Sequence, residues 1–336
     1  MNDKKKVCVL GDGAWGTAVA TLLATNGHEV TLWCYEPEVA QTIISTGYNK
    51  KYLPGIQLPS TIRATSNIDE AVCGADFVFE AVPVKFLRTV INSTKQCYSP
   101  DQIWVILSKG IEQETLQLPT EIIDDIFGYE TRKAVFSGPS YAQDVVKQQV
   151  TAVVIAASDC AIAHEVQKLV VNDYFRPYAS DDIIGVQIGA AIKNVIALGI
   201  GILEGAGFTD NTKAFLFTRS LQEMVILSQT MGGKKETVYG LSGLGDLVLT
   251  AMGSLSKNNA LGCRIGRGET LDTLKKEFGT IPEGINTLQA LEQLMDKYNL
   301  DLPICSGIYA IIFEQKPVIK MITELMAKPL DQECKL

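Results

Sequence analysis

The sequence predicts a two-domain α/β protein, in which a doubly wound, largely parallel sheet is followed by an all-helical domain. The chain has 336 residues, about right for two domains of roughly 100–200 residues each. Hydrophobic residues make up 46% of it and charged residues 20%, which is typical of packed cores rather than disorder. Short apolar runs alternate with longer amphipathic stretches up to about residue 180, where the alternation stops. We therefore expect a sheet domain over residues 1–180 and a helical domain over residues 181–336.

The first 180 residues have the rhythm of β-α-β units, in which crossover helices join parallel strands. Short apolar runs bounded by glycine and polar residues predict the strands, and amphipathic stretches predict the helices. The predicted strands are 6–11, 29–33, 76–82, 103–108, 133–137 and 152–156. The predicted helices between them are 13–25, 38–45, 84–93, 118–127 and 161–170.

Helical patterns continue almost to the end of the chain after residue 180. The predicted helices are 182–203, 212–231, 258–266, 270–278, 284–298, 307–313 and 318–326. Residues 183–203 are apolar and approach the ~20 residues that cross a bilayer. Gln187 and the pair Lys193-Asn194 interrupt this stretch, and a charge in lipid is costly. We therefore expect a helix buried in protein and no integral membrane segment.

Composition narrows the classes of partner. The net charge is −8 and the pI is near 5.0, which argues against general binding to nucleic acid. The eight cysteines show no C-x-x-C pair, so we interpret them as small core residues in a reducing compartment. Both histidines, His28 and His164, are expected at the surface, and no metal site is predicted. The charged start leads into an apolar run too short for a signal sequence, which indicates a cytoplasmic protein.

A glycine-rich loop follows the first predicted strand. It reads Gly11-Asp12-Gly13-Ala14-Trp15-Gly16 and continues into a predicted helix. This is the context in which G-x-G-x-x-G binds a dinucleotide, with the pyrophosphate on the N–H groups of the helix start. The loop therefore predicts a Rossmann-like domain that binds NAD or NADP. Glu36 follows the second strand and suits the ribose hydroxyls of NAD, but it suits the first turn of a helix equally well, so the choice between the two stays open.

Two lysines are candidates for catalysis. Lys193 lies among small apolar residues in a predicted helix, and burial there would lower its pKa toward neutral pH. An amine with such a pKa can exchange a proton under physiological conditions. Asn194 beside it would orient the substrate or the nicotinamide amide. Lys109 follows a strand at the edge where open α/β sheets bind ligands. The alternative for Lys193 is a partly exposed lysine whose aliphatic stem covers apolar surface, and the alternative for Lys109 is a solvated loop lysine.

Three further motifs carry polar groups: the first leaves a strand and could bind an anion or cap a helix, the second has a carboxylate after a glycine turn, and the third gathers a cation and two hydrogen-bonding side chains. They are Ser137-Gly138-Pro139-Ser140-Tyr141-Ala142, Gly243-Leu244-Gly245-Asp246-Leu247 and Ser256-Lys257-Asn258. An N-cap and a surface lysine explain them equally well when each is taken alone.

Taken in order, these motifs resemble the bacterial type of NAD(P)-dependent glycerol-3-phosphate dehydrogenase, which reduces dihydroxyacetone phosphate for phospholipid synthesis. The resemblance runs over nearly the whole chain, in the segments 11–18, 108–110, 137–142, 185–197, 243–247, 256–258 and 282–284. It implies hydride transfer from NAD(P)H to C2 of dihydroxyacetone phosphate, with glycerol 3-phosphate as product. It also suggests a homodimer.

The resemblance assigns roles to particular positions. Lys193 is the proton donor, with Lys109, Asn194 and Asp246 around the reacting carbonyl. The substrate contacts that it implies, besides Lys109, Lys193 and Asp246, are Gly138, Ser140, Ser256, Lys257 and Asn258, the last two holding the phosphate. The cofactor contacts that it implies, besides Gly11, Gly13 and Gly16, are Ala14, Trp15, Tyr35, Lys109, Ala142, Lys257, Ile281 and Glu283.

The chain departs from the family pattern at two places. Lys257 stands where arginine is usual, with Asn259-Ala260 in place of further basic residues, and Asp12 stands where alanine is usual. The alternatives are a two-domain dehydrogenase of a β-hydroxy acid or a sugar acid, and a nucleotide-binding regulator without activity.

Overall fold

The structure is a computed structural model that describes residues 4–278 and 281–329. The described part of the chain contains eight strands, all within its first 180 residues. They are β1 (Lys6–Leu10), β2 (Glu29–Trp33), β3 (Arg63–Thr65), β4 (Phe77–Glu80), β5 (Ile103–Ile106), β6 (Lys133–Ser137), β7 (Thr151–Ala156) and β8 (Phe175–Ser180).

Helices surround this sheet and make up the regular structure after residue 182 in the described residues. Those of the first part are α1 (Ala14–Thr25), α2 (Pro37–Thr46), α3 (Ile68–Val72), α4 (Val84–Ser93), α5 (Pro119–Phe127), α6 (Ala142–Val146) and α7 (Cys160–Val170). Those of the second part are α8 (Ile183–Gly205), α9 (Asp210–Thr230), α10 (Lys235–Val238), α11 (Asp246–Met252), α12 (Lys257–Gly266), α13 (Leu271–Phe278), α14 (Glu283–Tyr298), α15 (Pro303–Phe313) and α16 (Val318–Met326). A 3₁₀ turn covers Lys95–Cys97, and a π-helical turn covers Leu241–Gly245.

The eight strands form one sheet in the order β3-β2-β1-β4-β5-β6-β7-β8. Every neighbouring pair is parallel except β6 and β7, which are antiparallel. Strand β1 lies between β2 and β4, so the chain changes direction across the sheet beside it. Open α/β sheets bind ligands at the carboxyl ends of their strands at such a switch point, which is where the glycine loop follows β1. The predicted doubly wound, largely parallel sheet is confirmed.

All six predicted strands are present, but β3 and β8 were missed. Strand β3 has three residues and is only partly buried at the edge of the sheet, so it shows no apolar run. Strand β8, with sequence FRPYAS, is the opposite edge strand and has a proline in its middle. The short helices α3, α10 and α11 were also missed, because four to seven residues are too few to show a helical period.

Helix α8 forms the centre of the second part. In the described chain it is long and apolar enough to cross a bilayer, yet nearly all of its residues are buried by other parts of the protein. Helix α12 packs directly on it through glycines. A Cβ added at Gly201 would lie 2.2 Å from the carbonyl oxygen of Asn259, and one at Gly262 would lie 2.2 Å from that of Leu198. The glycines therefore bring the two backbones into contact, and this packs α12 along the C-terminal half of α8.

Two expectations about single residues are wrong. Cys8, Cys34 and Cys305 are buried as predicted, but Cys73 and Cys97 form a disulfide with their Cα atoms 4.6 Å apart. The two lie 24 residues apart in sequence, so no motif marks the pair. Cys160 is exposed rather than buried, and Cys334 lies outside the described residues.

The second correction concerns a histidine. His28 is 3% exposed, and the main-chain N–H of Lys5 approaches its Nδ1 at 3.4 Å, whereas His164 is exposed as expected. His28 directly precedes β2, and Lys5 directly precedes β1, so the ring is buried where these two neighbouring strands begin.

Candidate active site

The glycine loop joins β1 to α1 at the carboxyl edge of the sheet. Gly11 has φ +119°, a conformation that favours glycine, and a Cβ there would lie 2.8 Å from the carbonyl oxygen of Ala81. A Cβ at Gly16 would lie 2.1 Å from the carbonyl oxygen of Gly11. Both positions therefore require glycine for the tight turn and for the close packing of helix on strand.

Gly13 is different because no atom of the described residues comes within 4 Å of a Cβ added there. This open space lies at the N-cap of α1, where the first N–H groups of the helix have no partner within the helix. The loop is also held rigidly. Asn49 Nδ2 and Thr17 Oγ1 donate to the main-chain oxygen of Asp12 at 2.7 and 3.1 Å. A pyrophosphate fits this rigid cradle, so the residues present suit a dinucleotide.

The end of β2 lies beside the loop. Tyr35 is 75% exposed there, and its ring meets Trp33 edge to face. Glu36 caps the start of α2 and accepts hydrogen bonds from Lys51 Nζ at 2.5 Å and from the hydroxyl of Tyr52 at 2.7 Å. These contacts hold the pKa of Glu36 below its ordinary value, so its carboxyl is ionised.

A buried carboxylate joins the two candidate lysines. Asp246 Oδ1 lies 2.6 Å from Lys193 Nζ, and Asp246 Oδ2 lies 2.6 Å from Lys109 Nζ. Lys193 also donates to Thr250 Oγ1 at 2.8 Å. The three charged side chains come from α11, α8 and the loop after β5, so the fold brings together residues up to 137 positions apart in sequence.

Burial sets the electrostatics of this cluster. The side chain of Lys193 is 7% exposed, and burial lowers its pKa to about 7 even though Asp246 acts to raise it. Lys109 lowers that pKa further through repulsion between the two ammonium groups. Burial acts to raise the pKa of Asp246, but the two lysines outweigh it and hold the pKa below its ordinary value. The result is an ionised carboxylate that holds an amine able to exchange a proton near neutral pH.

Close backbone packing positions Asp246 and Lys193. Asp246 follows directly on the π-helical turn Leu241–Gly245, which lies against α8. A Cβ at Gly189 would lie 3.0 Å from the carbonyl oxygen of Ser242 and 3.1 Å from the Cα of Gly243. Glycines on both sides therefore let the turn approach α8 one helical turn before Lys193.

A second polar chain runs from α8 to α14. Asn258 Nδ2 donates to Asn194 Oδ1 at 3.1 Å, and Asn258 Oδ1 accepts from the main-chain N–H of Gly284 at 3.1 Å. Glu283 precedes that glycine, and burial raises its pKa to about 7. A Cβ at Gly110 would lie 3.5 Å from Glu283 Oε2, so this end of α14 is next to the loop that carries Lys109. Ile281 is partly buried at the same approach to α14.

The turn after β6 closes another side of the site. Gly138 has φ +148° in close contact with Val153, and Ser140 Oγ donates back to the carbonyl of Gly138 at 2.9 Å. The hydroxyl of Tyr141 donates to the main-chain oxygen of Leu249 in α11 at 2.8 Å. Ala142 starts α6 on this turn. The turn is thereby tied to the helix that carries Asp246.

Ser256 and Lys257 lie at the start of α12. Ser256 is the N-cap, and its hydroxyl accepts from the main-chain N–H of Asn259 at 3.2 Å. Lys257 is exposed in the first turn. Its neighbour Asn258 is buried and connects to Asn194, so the exposed lysine stands one residue from the interior of the site.

Comparison with known proteins identifies the family. Family models described as the N-terminus and the C-terminus of NAD-dependent glycerol-3-phosphate dehydrogenase match residues 6–163 and 182–323. The chain belongs to this family. It is 40% identical over 331 residues to the glycerol-3-phosphate dehydrogenase [NAD(P)+] of Geobacter sp. (strain M21), covering 98% of this chain and 99% of the relative. The relative of that name from Fusobacterium nucleatum is 40% identical over 324 residues, covering 96% and 97%.

A solved structure agrees with this assignment. The crystal structure of glycerol-3-phosphate dehydrogenase from Coxiella burnetii superimposes with a TM-score of 0.92 at 31% identity, covering 97% of this chain and 99% of that chain. The resemblance, the oxidoreductase class and the NAD or NADP cofactor predicted from the sequence are thereby confirmed. The roles assigned to single residues remain predictions, and the geometry above says which of them lie together.

The sequence reasoning missed several residues of this glycerol-3-phosphate dehydrogenase site. Asn49 and Thr250 bind the glycine loop and Lys193, but each lies far along the chain from its partner. Glu80 at the end of β4 is fully buried, and it accepts hydrogen bonds from Ser108 Oγ at 2.7 Å and from the N–H of Val82 at 2.5 Å. The signal that could have identified Glu80 is an acidic residue at the end of the apolar run 77–80.

Proposed function

We propose that this dehydrogenase reduces dihydroxyacetone phosphate to glycerol 3-phosphate, and that Lys193 donates the proton to the C2 oxygen. The observation that carries the proposal is the buried Lys193 ammonium, held on Asp246 with Lys109 on the other carboxylate oxygen. This cluster lies where the second part of the chain meets the carboxyl edge of the sheet. The dinucleotide, when bound, supplies the hydride for C2.

The cluster suits the charge that develops during reduction. The carbonyl oxygen gains negative charge, and preorganised cations in a water-poor site stabilise it without reorganisation. Lys193 and Lys109 present two ammonium groups for that purpose. Lys193 then transfers its proton to the alkoxide and becomes a neutral amine, which a pKa near 7 permits. Asp246 keeps the two lysines together and favours the charged donor before transfer.

The residues that would hold the cofactor lie along the carboxyl edge of the sheet. The cradle of Gly11, Gly13 and Gly16 with the start of α1 suits the pyrophosphate. The resemblance adds contacts from Ala14, Trp15, Tyr35, Lys109, Ala142, Lys257, Ile281 and Glu283. Trp15 supports this placement, because its ring packs edge to face on Phe136 at 5.7 Å between centroids and so holds the first turn of α1 on the sheet.

The substrate phosphate is assigned to the start of α12, with further contacts from the turn at Gly138 and Ser140. Lys257 and Asn258 would hold it beside the N–H groups of the first turn, where Ser256 already serves as the N-cap. Binding energy from this remote group would fix the carbonyl against the cofactor. Asn194 connects the proposed phosphate site to the proton donor. Its side chain accepts a hydrogen bond from Asn258, and Lys193 precedes it in the chain.

The wider setting of the enzyme is part of the same proposal. Residues 1–180 would act as the dinucleotide-binding domain and residues 181–336 as the catalytic domain. This division is supported by β8, which ends at Ser180 and is the last strand among the described residues. The resemblance supports a homodimer in the cytoplasm that supplies glycerol 3-phosphate for phospholipid synthesis. Light scattering on the purified chain measures the oligomeric state, and a monomer at assay concentration would contradict that part.

Oxidation of a reduced cofactor by dihydroxyacetone phosphate tests the proposed reaction. Purified protein is mixed with NADH or NADPH, and the loss of absorbance at the nicotinamide band is followed with and without the substrate. A β-keto acid and dihydroxyacetone without phosphate serve as controls. We expect turnover that depends on dihydroxyacetone phosphate and is far slower with either control. Preferred turnover of the keto acid would contradict the proposed substrate and favour a hydroxy-acid dehydrogenase instead.

A further inference from the structure

The side chain of Asp12 is buried with one oxygen unsatisfied. Asp12 is 6% exposed, and its Oδ2 has no hydrogen-bond partner within the described residues. Burial raises the pKa of this carboxyl, as does the nearby Glu36, while the main-chain N–H of Tyr35 lowers it. A buried polar atom without a partner requires an explanation, and a bound group that supplies the missing hydrogen bond is one such explanation.

Hydrogen bonds hold the main chain of the loop that carries this carboxyl. The main-chain oxygen of Asp12 accepts from Asn49 and Thr17, and the N–H of Gly11 donates to the carbonyl of Trp33 at 3.2 Å. Trp33 ends β2, so the loop is bonded to the strand whose tip carries Tyr35 and Glu36. The main chain at Asp12 is therefore held between the glycine cradle and the end of β2, and the N–H of Tyr35 bonds its carboxyl there. This is where the adenosine ribose of a dinucleotide lies in this fold.

Glu36 brings a second fixed carboxylate to the same place. Its two oxygens lie 2.5 and 2.6 Å from Lys51 Nζ, and Tyr52 donates to it as well. Lys51 is consequently engaged with Glu36. A phosphate on the ribose would have to compete with that carboxylate for the ammonium and would also meet Asp12.

We infer that Asp12 and Glu36 recognise the ribose hydroxyls of the adenosine half and make this enzyme selective for NAD over NADP. The inference rests on the proposed function, because it requires a nicotinamide dinucleotide in the glycine loop. A ribose hydroxyl would donate to the unsatisfied Oδ2 of Asp12, which removes the cost of leaving that atom unpaired. A 2′-phosphate has no proton to donate near neutral pH and brings close to two negative charges beside two carboxylates.

The expected selectivity follows from known discriminations of this kind. Sites that hydrogen-bond a hydroxyl reject analogues without that donor by ~10⁴-fold or more, and charge repulsion adds to the rejection. Because the rim of this site is partly open to solvent, screening reduces the effect. We expect NADH to bind at least ~100-fold more tightly than NADPH, about 2.8 kcal/mol at 1.4 kcal/mol per tenfold.

Direct binding measurements test the inference without relying on turnover. NADH and NADPH are titrated into the purified chain and followed by nicotinamide fluorescence. ADP-ribose and 2′-phospho-ADP-ribose are titrated by calorimetry, since they differ by one phosphate and lack the nicotinamide. The variants are Asp12→Asn, which keeps the shape, and Asp12→Ala, which removes the carboxyl. Glu38→Gln is the matched control, because it removes one exposed charge from the first turn of α2.

The two aspartate variants should narrow the NADH preference by ~10-fold or more, and the control should change it by less than about twofold. The ADP-ribose pair should show the same order of preference. NADPH binding as tightly as NADH in the unaltered chain would overturn the inference, as would an unchanged preference in both folded Asp12 variants. If neither dinucleotide bound, the proposed function itself would fail, and this outcome is distinct from equal binding of both.

Discussion

Removing the charge of Asp246 probes the centre of the site. Asp246→Asn keeps the size of the side chain but leaves the ammonium groups of Lys193 and Lys109 without their counter-ion. Each now lies 2.6 Å from a carboxylate oxygen. Truncating one partner of a buried, hydrogen-bonded charge pair usually costs about 2–5 kcal/mol. We take the lower end, because Lys109 is 20% exposed and the open side of the site admits water.

The effect on Lys193 follows from that energy. A loss of about 2–3 kcal/mol lowers its pKa by about 2 units, at 1.36 kcal/mol per unit. Since the pKa of Lys193 is about 7, half of the enzyme carries the proton at pH 7. After the substitution only about 1% would carry it. Reduction needs the charged donor, so kcat for reduction at pH 7 should fall about 50-fold.

The pH dependence of kcat/KM measures this shift. Activity of a proton donor is lost as pH rises through its pKa, so reduction by the unaltered enzyme should fall above about pH 7. In Asp246→Asn the fall should begin near pH 5. Asp210→Asn, which removes an exposed charge at the start of α9, is the control and should leave the profile in place. An unchanged profile with kcat within about threefold, in a folded Asp246→Asn variant, would refute the assigned role.

Three further predictions concern other parts of the molecule. Gly13→Val should abolish NADH binding, because the side chain would fill the open space above the start of α1, and titration by nicotinamide fluorescence checks it; affinity within a few-fold of normal would show that the loop only makes a turn. Lys257→Ala should raise KM for dihydroxyacetone phosphate by the equivalent of about 1.5–3 kcal/mol, the scale of a charged hydrogen bond, whereas Lys257→Arg should lower it; unchanged kinetics of the alanine variant would place the phosphate elsewhere. The Glu223 carboxyl accepts hydrogen bonds from the N–H groups of Ile304 and Cys305, and burial raises its pKa to about 7. Between pH 4.5 and 7 the native state therefore binds more protons than the unfolded state. The free energy of unfolding should fall as pH rises through that range. Glu223→Gln should shrink the difference in unfolding free energy between pH 5 and pH 8 by about 2.5 kcal/mol in urea denaturation, and an undiminished difference would contradict this.

The features that the sequence predicted correctly are those encoded by local order. The loop from Gly11 to Gly16 follows a strand and starts a helix. The tight turn and the close packing at this junction require glycine, so the spacing of the glycines predicts the loop. Lys193 was identified because a lysine among small apolar residues in a helix is either held in a pocket, where burial lowers its pKa, or extends to the surface. Six strands were predicted correctly because a parallel sheet is buried on both faces, so its strands appear in the sequence as short apolar runs.

The features that could not be predicted depend on contacts between distant segments. Asn49 binds the loop at Asp12 from 37 residues away, and Lys109 meets Asp246 from 137 residues away. Residue spacing carries no information on such distances, and the family resemblance alone suggested the second pair. The disulfide of Cys73 and Cys97 and the burial of His28 were unpredictable for the same reason. Both depend on segments that become neighbours only when the chain folds.

The most direct test of the central claim is the paired measurement of turnover and cofactor binding in Lys193→Met. Methionine fills the buried space without an amine, and Lys320→Met on the exposed face of α16 is the matched control. We predict that kcat for reduction of dihydroxyacetone phosphate falls by ~10²-fold or more, the scale of a lost proton donor, while the Kd for NADH changes by less than about threefold. A folded Lys193→Met enzyme with near-normal kcat would contradict the account.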